Sequence, residues 1–194
     1  YGMQVQNVLK KASSLEISTI MPLHGPMLQG EAMAEAIRLY DLWSRYEPES
    51  DGILVAFASI HGNTAKAAHH LAEVLKQKGA TKVVVSDLSR DDMAEVIEDA
   101  FRYSKLVLAT TTYNGDMFPF MKTFIDHLTE RNYSNRTVAF IENGSWAPVA
   151  AKWMKSMLEK SKNITYTENN VTIRSALNEA STAQVTALAA ELCK

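Results

Sequence analysis

The residues best equipped for chemistry lie in one stretch, Phe57-Ala58-Ser59-Ile60-His61-Gly62-Asn63-Thr64. Two hydroxyls, a side-chain amide and a glycine stand there between an apolar run, Gly52-Ile53-Leu54-Val55-Ala56, and a helical pattern. That pattern runs from Ala65 to Lys78, with Ala68, Leu71, Ala72 and Leu75 on one face. A buried strand that passes through such a loop straight into a helix leaves unpaired N–H groups at the helix start. Those groups favour an anion. Composition narrows the choice of anion. A nucleoside-triphosphate loop ends in Gly-Lys-Ser/Thr, and a dinucleotide fingerprint needs three glycines. Here there is one glycine, and Lys66 sits inside the helix. The stretch therefore suits a dianionic phosphate monoester held by hydroxyls and amides. An ordinary strand–helix turn with an Asn/Thr cap is the alternative.

Two more loops of this kind follow apolar runs. After Lys105-Leu106-Val107-Leu108-Ala109 comes Thr110-Thr111-Thr112-Tyr113-Asn114-Gly115-Asp116-Met117. It offers three hydroxyls, an aromatic ring and an Asn-Gly pair that tolerates positive φ. After Thr137-Val138-Ala139-Phe140-Ile141 comes Glu142-Asn143-Gly144-Ser145-Trp146-Ala147. Its Trp146 is suited to stacking on a flat ring system, with packing under its own loop as the alternative. His69, His70 and His127 fall on helical segments and read as solvent-facing. No Ser/His/Asp or Cys/His arrangement stands in motif context, so no catalytic residue is assigned.

The elements that must position these loops alternate strictly from Gly52 onward. Strand one is Ile53–Ala58, strand two Lys82–Ser86, strand three Lys105–Ala109, strand four Thr137–Ile141 and strand five Val171–Ile173. Ile164–Thr167 is ambiguous, an extra short strand at most. Helices are expected after Asn63, from about Asp91 to Ala100 with Ser89 as cap, from Phe118-Pro119, from Pro148 to about Ser161, and from Thr182 to Leu192. Buried strands with intervening helices predict an α/β, doubly wound parallel sheet. Ligands of such sheets sit at the carboxyl ends of the strands.

Residues 1–48 read differently. Val5 to Leu15 predicts a short helix, Glu16 to Met21 a strand, Pro22-Leu23-His24-Gly25-Pro26 a rigid turn, and Glu31 to Tyr46 a helix. Ile37, Leu39, Tyr40 and Trp43 form the apolar face of that helix. A lone strand without nearby partners suggests a sheet whose other strands are missing. Pro48-Glu49-Ser50-Asp51-Gly52 reads as a linker.

At 194 residues, 46% hydrophobic and 22% charged, the chain suits one large domain or a domain with an appendage. A formal net charge of −2 and the lack of a Lys/Arg block argue against a nucleic-acid surface. No apolar run of membrane-spanning length and no leader pattern are read, so no membrane partner is expected. The single cysteine, Cys193, fits a reducing, cytoplasmic setting.

Ser59-x-His61-Gly62-Asn63-Thr64 resembles the flavodoxin loop that binds the FMN phosphate. With Thr111-Thr112-Tyr113-Asn114-Gly115-x-x-Phe118-Pro119 and Asn143-Gly144-Ser145-Trp146, the resemblance extends to flavodiiron proteins, or A-type flavoproteins. These are cytoplasmic oxygen or nitric oxide reductases, and the similarity is to their flavodoxin-like domain. It implies a flavodoxin-like five-stranded parallel sheet of order 2-1-3-4-5 with an N-terminal helical appendage. It also implies FMN as cofactor. The implied binding residues are Ser59, Ile60, His61, Gly62, Asn63, Thr64, Thr111, Thr112, Tyr113, Asn114, Gly115, Asn143, Gly144, Ser145 and Trp146. The fourth-strand loop departs from the Gly-Ser-Tyr-Gly-Trp of many relatives, so only stacking by Trp146 carries over there.

Residues 49–194 match the FMN-binding domain, and residues 1–48 resemble the end of the family's metallo-β-lactamase-like domain. Leu39 to Tyr46 resembles the connector, and His24 matches the His-Gly-Pro histidine that is the last ligand of the family's diiron site. The His-x-Glu-x-Asp cluster that supplies most iron ligands is absent, and one histidine cannot hold two irons. No metal site is expected, and the chain reads as a C-terminal fragment of a longer protein. The implied function is an electron relay. FMN would take electrons from rubredoxin or a flavin reductase and pass them to a diiron site absent from this chain. In the family a head-to-tail homodimer brings the two centres together. Beside a flavin, the Asn114-Gly115 peptide would offer a carbonyl to one redox state and an N–H to another. Acidic Asp116 and Glu142 would disfavour the anionic reduced flavin and lower its potential. The rivals are a stand-alone flavodoxin or FMN-dependent quinone reductase and, further off, a receiver-type signalling module. The receiver needs acidic residues where Ser59-Ile60-His61 and Thr110-Thr111-Thr112 stand.

Overall fold

Short elements make up the chain before Ser50. α1 (Gly2–Ala12) packs on α2 (Gly30–Ser44), and Gln6 Nε2 joins them by donating to Asp41 Oδ1 at 2.8 Å and Ser44 Oγ at 2.7 Å. Between them β1 (Thr19–Ile20) pairs antiparallel with β2 (Leu28–Gln29). The expected strand over 16–21 thus shrinks to two residues and has a partner, because the Pro22–Pro26 turn folds the chain back on itself. α2 stops two residues short of Tyr46, which adopts φ +59° and cannot continue a right-handed helix. Met3, Val8, Met21 and Leu23 remain exposed in this unit. The computed structural model describes residues 2–194, and the chain divides into two compact units between Glu49 and Ser50.

The second unit follows the predicted alternation. Its elements are β3 (Ser50–Ala58), α3 (Asn63–Gln77), β4 (Val83–Asp87), α4 (Met93–Arg102), β5 (Tyr103–Tyr113), β6 (Asp116–Met117) and α5 (Pro119–Glu130). Then come β7 (Arg136–Asn143), α6 (Ala150–Met157), β8 (Ile164–Tyr166), β9 (Val171–Ile173) and α7 (Glu179–Leu192). The parallel order is β4-β3-β5-β7, with β8 and β9 both paired to β7. This is the expected 2-1-3-4-5 arrangement with its fifth position shared by two short strands. Residues 167–170 loop out between them, yet the ladder is carried across. Thr167 N donates to Val138 O at 3.1 Å, and Phe140 N donates to the Asn170 side chain at 3.1 Å.

Each buried strand sends alternate residues to opposite faces, so both faces read as apolar. Leu54, Ala56, Leu106, Leu108, Val138 and Phe140 meet α4, α5 and α6 through Val96, Ala100, Phe124, Ile125 and Met154. Ile53, Val55, Phe57, Val107, Ala139 and Ile141 meet α3 and α7 through Ala68, Leu71, Leu75, Val185 and Leu188. Gly52 is required for packing: a Cβ there would stand 2.3 Å from the Tyr103 ring. Among the described residues no helix is long and apolar enough to cross a membrane.

Three local expectations are corrected. α4 starts at Met93 with Asp92 as its cap, the Asp92 carboxylate accepting from Ala94 N at 2.8 Å. Ser89 instead donates its hydroxyl to Asp87 Oδ1 at 2.6 Å. α6 begins at Ala150 rather than Pro148, because Val149 is still outside helical geometry, with ψ −1° at φ −133°. His70 does not face solvent freely: its Nε2 is buried and has no hydrogen-bond partner among the described residues.

Tyr133 is fully buried, meets the Phe101 ring edge-on at 5.3 Å, and leaves its hydroxyl without a partner. Burial pushes its phenol above the ordinary tyrosine range. The unfolded chain therefore ionises this group first, and stability drains away as pH rises past about 10. Tyr133→Phe should be about 1 kcal/mol more stable at pH 7, since an unsatisfied buried hydroxyl is removed. Its advantage should grow above pH 10. Urea melts at pH 7 and 10.5 check both statements.

Candidate functional site

Strand register decides which loops can meet. Ala58 pairs with Thr110, Thr110 with Glu142, Thr111 with Asn143, and Asn143 with Ile173. The next residues along each strand, Ser59, Thr112, Gly144 and Arg174, therefore leave the carboxyl edge of the sheet side by side. Here lies a cavity of about 260 Å³, lined by Ser59, Ile60, His61, Asn63, Thr64, Thr111, Thr112, Asn143, Gly144, Ser145 and Ser175.

The first wall is the turn into α3. Gly62 precedes the helix at φ +82°, a conformation costly for any residue with a Cβ, and no side chain caps the helix. The loop closes on itself through Gly62 N, which donates to Ser59 Oγ at 3.1 Å. The N–H groups of Asn63 and Thr64 begin the helix and have no acceptor within it. The lining holds hydroxyls, amides and His61, with no lysine, arginine or carboxylate. That donor set fits a phosphate dianion, which neutral N–H and O–H groups at a positive helix end can hold.

The second wall is β5 and its hairpin to β6. Residues expected to form an open loop are paired strand, Thr112 with Met117 and Tyr113 with Asp116, joined by the turn Asn114-Gly115. Thr112 Oγ1 accepts from Val149 N at 3.0 Å, which leaves its proton for the cavity. The third wall is the 143–149 segment. A Cβ on Gly144 would lie 3.1 Å from Pro148 Cα and 3.3 Å from Thr112 Oγ1, so this segment seats closely on the second wall.

Gly62, Tyr113, Asn114, Gly115 and Trp146 do not line the cavity. Gly62 shapes the loop, and Tyr113 packs edge-on against Phe118 at 5.6 Å. Trp146 is 92% exposed, so it does not pack under its own loop. Asp116 is held below the usual carboxylate range, first by the Lys122 ammonium at 2.7 Å and then by the Met117 amide. Glu142 accepts from Ala151 N at 3.0 Å and from Thr172 Oγ1 at 3.0 Å. Neither carboxylate lines the cavity, and the charge of Asp116 is compensated. His24 lies exposed in the first unit, and no cluster of three or more potential metal ligands occurs among the described residues.

Sequence reasoning missed a fourth wall, the turn after β9. Ser175 sits at φ +68° with its hydroxyl 3.2 Å from that of Ser145. Asn143 ties it in. This buried side chain accepts from Ser175 N at 3.1 Å and donates to Ser175 O at 3.0 Å and Thr64 Oγ1 at 3.4 Å. Both ends of its amide are thus used within the protein, so Asn143 joins three walls. The available signal was positional: Ser175 is the first hydroxyl after a strand at the ligand-binding edge.

A family model described as a flavodoxin domain matches residues 54–185. An uncharacterised protein of Methanocaldococcus jannaschii is 25% identical over 165 residues, covering 84% of this chain and 39% of its own. The anaerobic nitric oxide reductase flavorubredoxin of an Escherichia coli strain is 20% identical over 147 residues, 75% of this chain and 30% of its own. The flavodiiron protein of Giardia intestinalis superposes with a TM-score of 0.90 at 22% identity, over 100% of this chain and 47% of that one. The chain thus spans less than half the length of these relatives.

Asn143→Ala leaves Ser175 N, Ser175 O and Thr64 Oγ1 short of a partner. Chemical denaturation should show a loss of about 2 kcal/mol, within the range for orphaned buried polar groups. A loss under about 0.5 kcal/mol would mean that Asn143 does not hold the walls together.

Proposed function

This chain belongs to the flavodoxin domain family, and from that premise we propose that it is the electron-relaying part of a flavodiiron oxygen or nitric oxide reductase. FMN is the cofactor that membership implies. The observation carrying the reading is the uncapped start of α3 at a cavity walled by four strand ends. FMN, when bound, supplies reversible electron transfer between one- and two-electron partners.

The chain's own residues bind and orient. Ser59, Thr64 and the backbone N–H groups from Ile60 to Thr64 take the phosphate without a neutralising cation. Thr111, Thr112, Asn143, Gly144, Ser145 and Ser175 bound the middle of the cavity, where hydroxyls suit a polyol. Tyr113, Asn114, Gly115 and Trp146 form its rim and receive the ring, with the exposed Trp146 indole as the stacking surface. The apolar sheet beneath excludes water from one side, and the open rim leaves an edge of the ring accessible to a partner.

On this reading residues 50–194 are the relay domain and residues 1–48 belong to a preceding metallo-β-lactamase-like domain, whose diiron site accepts the electrons. The electrons come from a rubredoxin-type donor or a flavin reductase in the cytoplasm, and a homodimer brings the flavin to the diiron site. The fold match to the Giardia protein, extending over the whole chain rather than the family-matched residues alone, supports this assignment over a stand-alone flavodoxin.

Titration calorimetry with FMN and riboflavin tests the site. FMN should bind one per chain, and riboflavin at least tenfold more weakly, because charge-assisted hydrogen bonds to the phosphate are lost. Thr64→Val should weaken FMN roughly fivefold and leave riboflavin unchanged, the loss of one hydrogen bond. Equal affinity for the two flavins would sink the assignment of the α3 turn.

A further inference from the structure

Trp153 lies on α6, outside every segment that lines the cavity, yet its indole reaches the site. Nε1 donates to the Gly115 carbonyl at 2.8 Å. Asn114 and Gly115, at φ +51° and +73°, are the two central residues of the turn between the paired strand ends Tyr113 and Asp116. Positive φ at both positions is the type I′ geometry.

Such a turn contains one peptide that can rotate without moving its flanks, the central one between Asn114 and Gly115. Rotation converts type I′ to type II′, keeps φ positive at Asn114 and changes its sign at Gly115, which glycine alone accepts readily. Everything around that peptide is tied. Tyr113 and Asp116 are held in the ladder, Asp116 Oδ1 accepts from Met117 N at 2.7 Å, and Gly115 O is taken by Trp153. No hydrogen bond involves Asn114 O or Gly115 N among the described residues. α6 grips the hairpin at a second point, where Val149 N meets Thr112 Oγ1 at 3.0 Å.

We propose that Trp153 is a positioning residue: by holding the Gly115 carbonyl it leaves the Asn114–Gly115 peptide as the single free group of the hairpin. That peptide then presents either its carbonyl or its N–H to the cofactor, and Trp153 biases the relative affinity for oxidised and reduced FMN. This rests on the FMN reading of the site. Trp153 is 41% exposed, so water competes for its bond and the contribution to stability is small. What the bond determines is direction. Without it the Gly115–Asp116 peptide also gains freedom, and the turn no longer holds two defined states.

Trp153→Phe keeps an aromatic ring on α6 and removes only the donor. Amide exchange at Gly115, Asp116 and Met117 is followed by NMR in the protein without added FMN, and dissociation constants are measured for oxidised and dithionite-reduced FMN. Exchange at Asp116 should accelerate severalfold. The ratio of the two dissociation constants should move roughly fivefold, the weight of one neutral hydrogen bond. An unchanged ratio overturns the proposal, and so does unchanged exchange. Failure of the unaltered protein to bind FMN would sink the functional reading instead, and the exchange rates would then decide whether Trp153 braces the turn. A change confined to thermal stability, with exchange and ratio constant, marks a packing role and also overturns it.

Discussion

At the start of α3 the backbone turns through Gly62 at φ +82° and enters the helix with no side chain bonded to its first N–H groups. Elsewhere the protein caps its helices itself: Asp92 on α4, and Asn178 with Ser181 on α7. The contrast locates the site. Unpaired donors at a helix end seek an acceptor, and the cavity in front of them offers no carboxylate. The other three walls are arranged around that end, through the Asn143 amide on one side and the Thr112–Val149 bond on the other.

That arrangement depends on the sheet more than on the loops. Strict register across β3, β5 and β7 puts Ser59, Thr112 and Gly144 at one edge, and the two apolar faces fix the register, because a slip of one residue would exchange them. The helices on either side give rigidity, and the loops inherit it. α6 belongs to both parts. Its inner face is core, through Ala150 and Met154, while its first residues and Trp153 hold the second wall. A helix that packs the sheet also sets the geometry of the site.

Much of this was legible before the structure. Strands buried on both faces appear as unbroken Val, Leu, Ile and Ala runs, so the central four and their order could be read directly. The interrupted fifth position could not, because Ile164–Tyr166 and Val171–Ile173 are each too short to carry a pattern, and their continuity runs through Asn170. The first wall was legible from residue types, since glycine and hydroxyls at a strand–helix junction have few other uses. Ser175 was hidden because a serine adopts the left-handed conformation that sequence reasoning reserves for glycine or asparagine. The hairpin was signalled by Asn114-Gly115 but read as an open loop. The role of Asn143 was misjudged for a physical reason: a buried amide with both ends engaged holds walls in place before it can hold a ligand.

The central claim is that main-chain N–H groups at the α3 turn grip the cofactor's phosphate. Backbone amide chemical shifts followed by NMR during addition of FMN, and separately of riboflavin, test it most directly. Large downfield displacement of the amide protons from Ile60 to Ala65 with FMN, and little with riboflavin, is the predicted result. Displacement of those amides by both flavins alike, or shifts confined to 111–115 and 143–146, would contradict it.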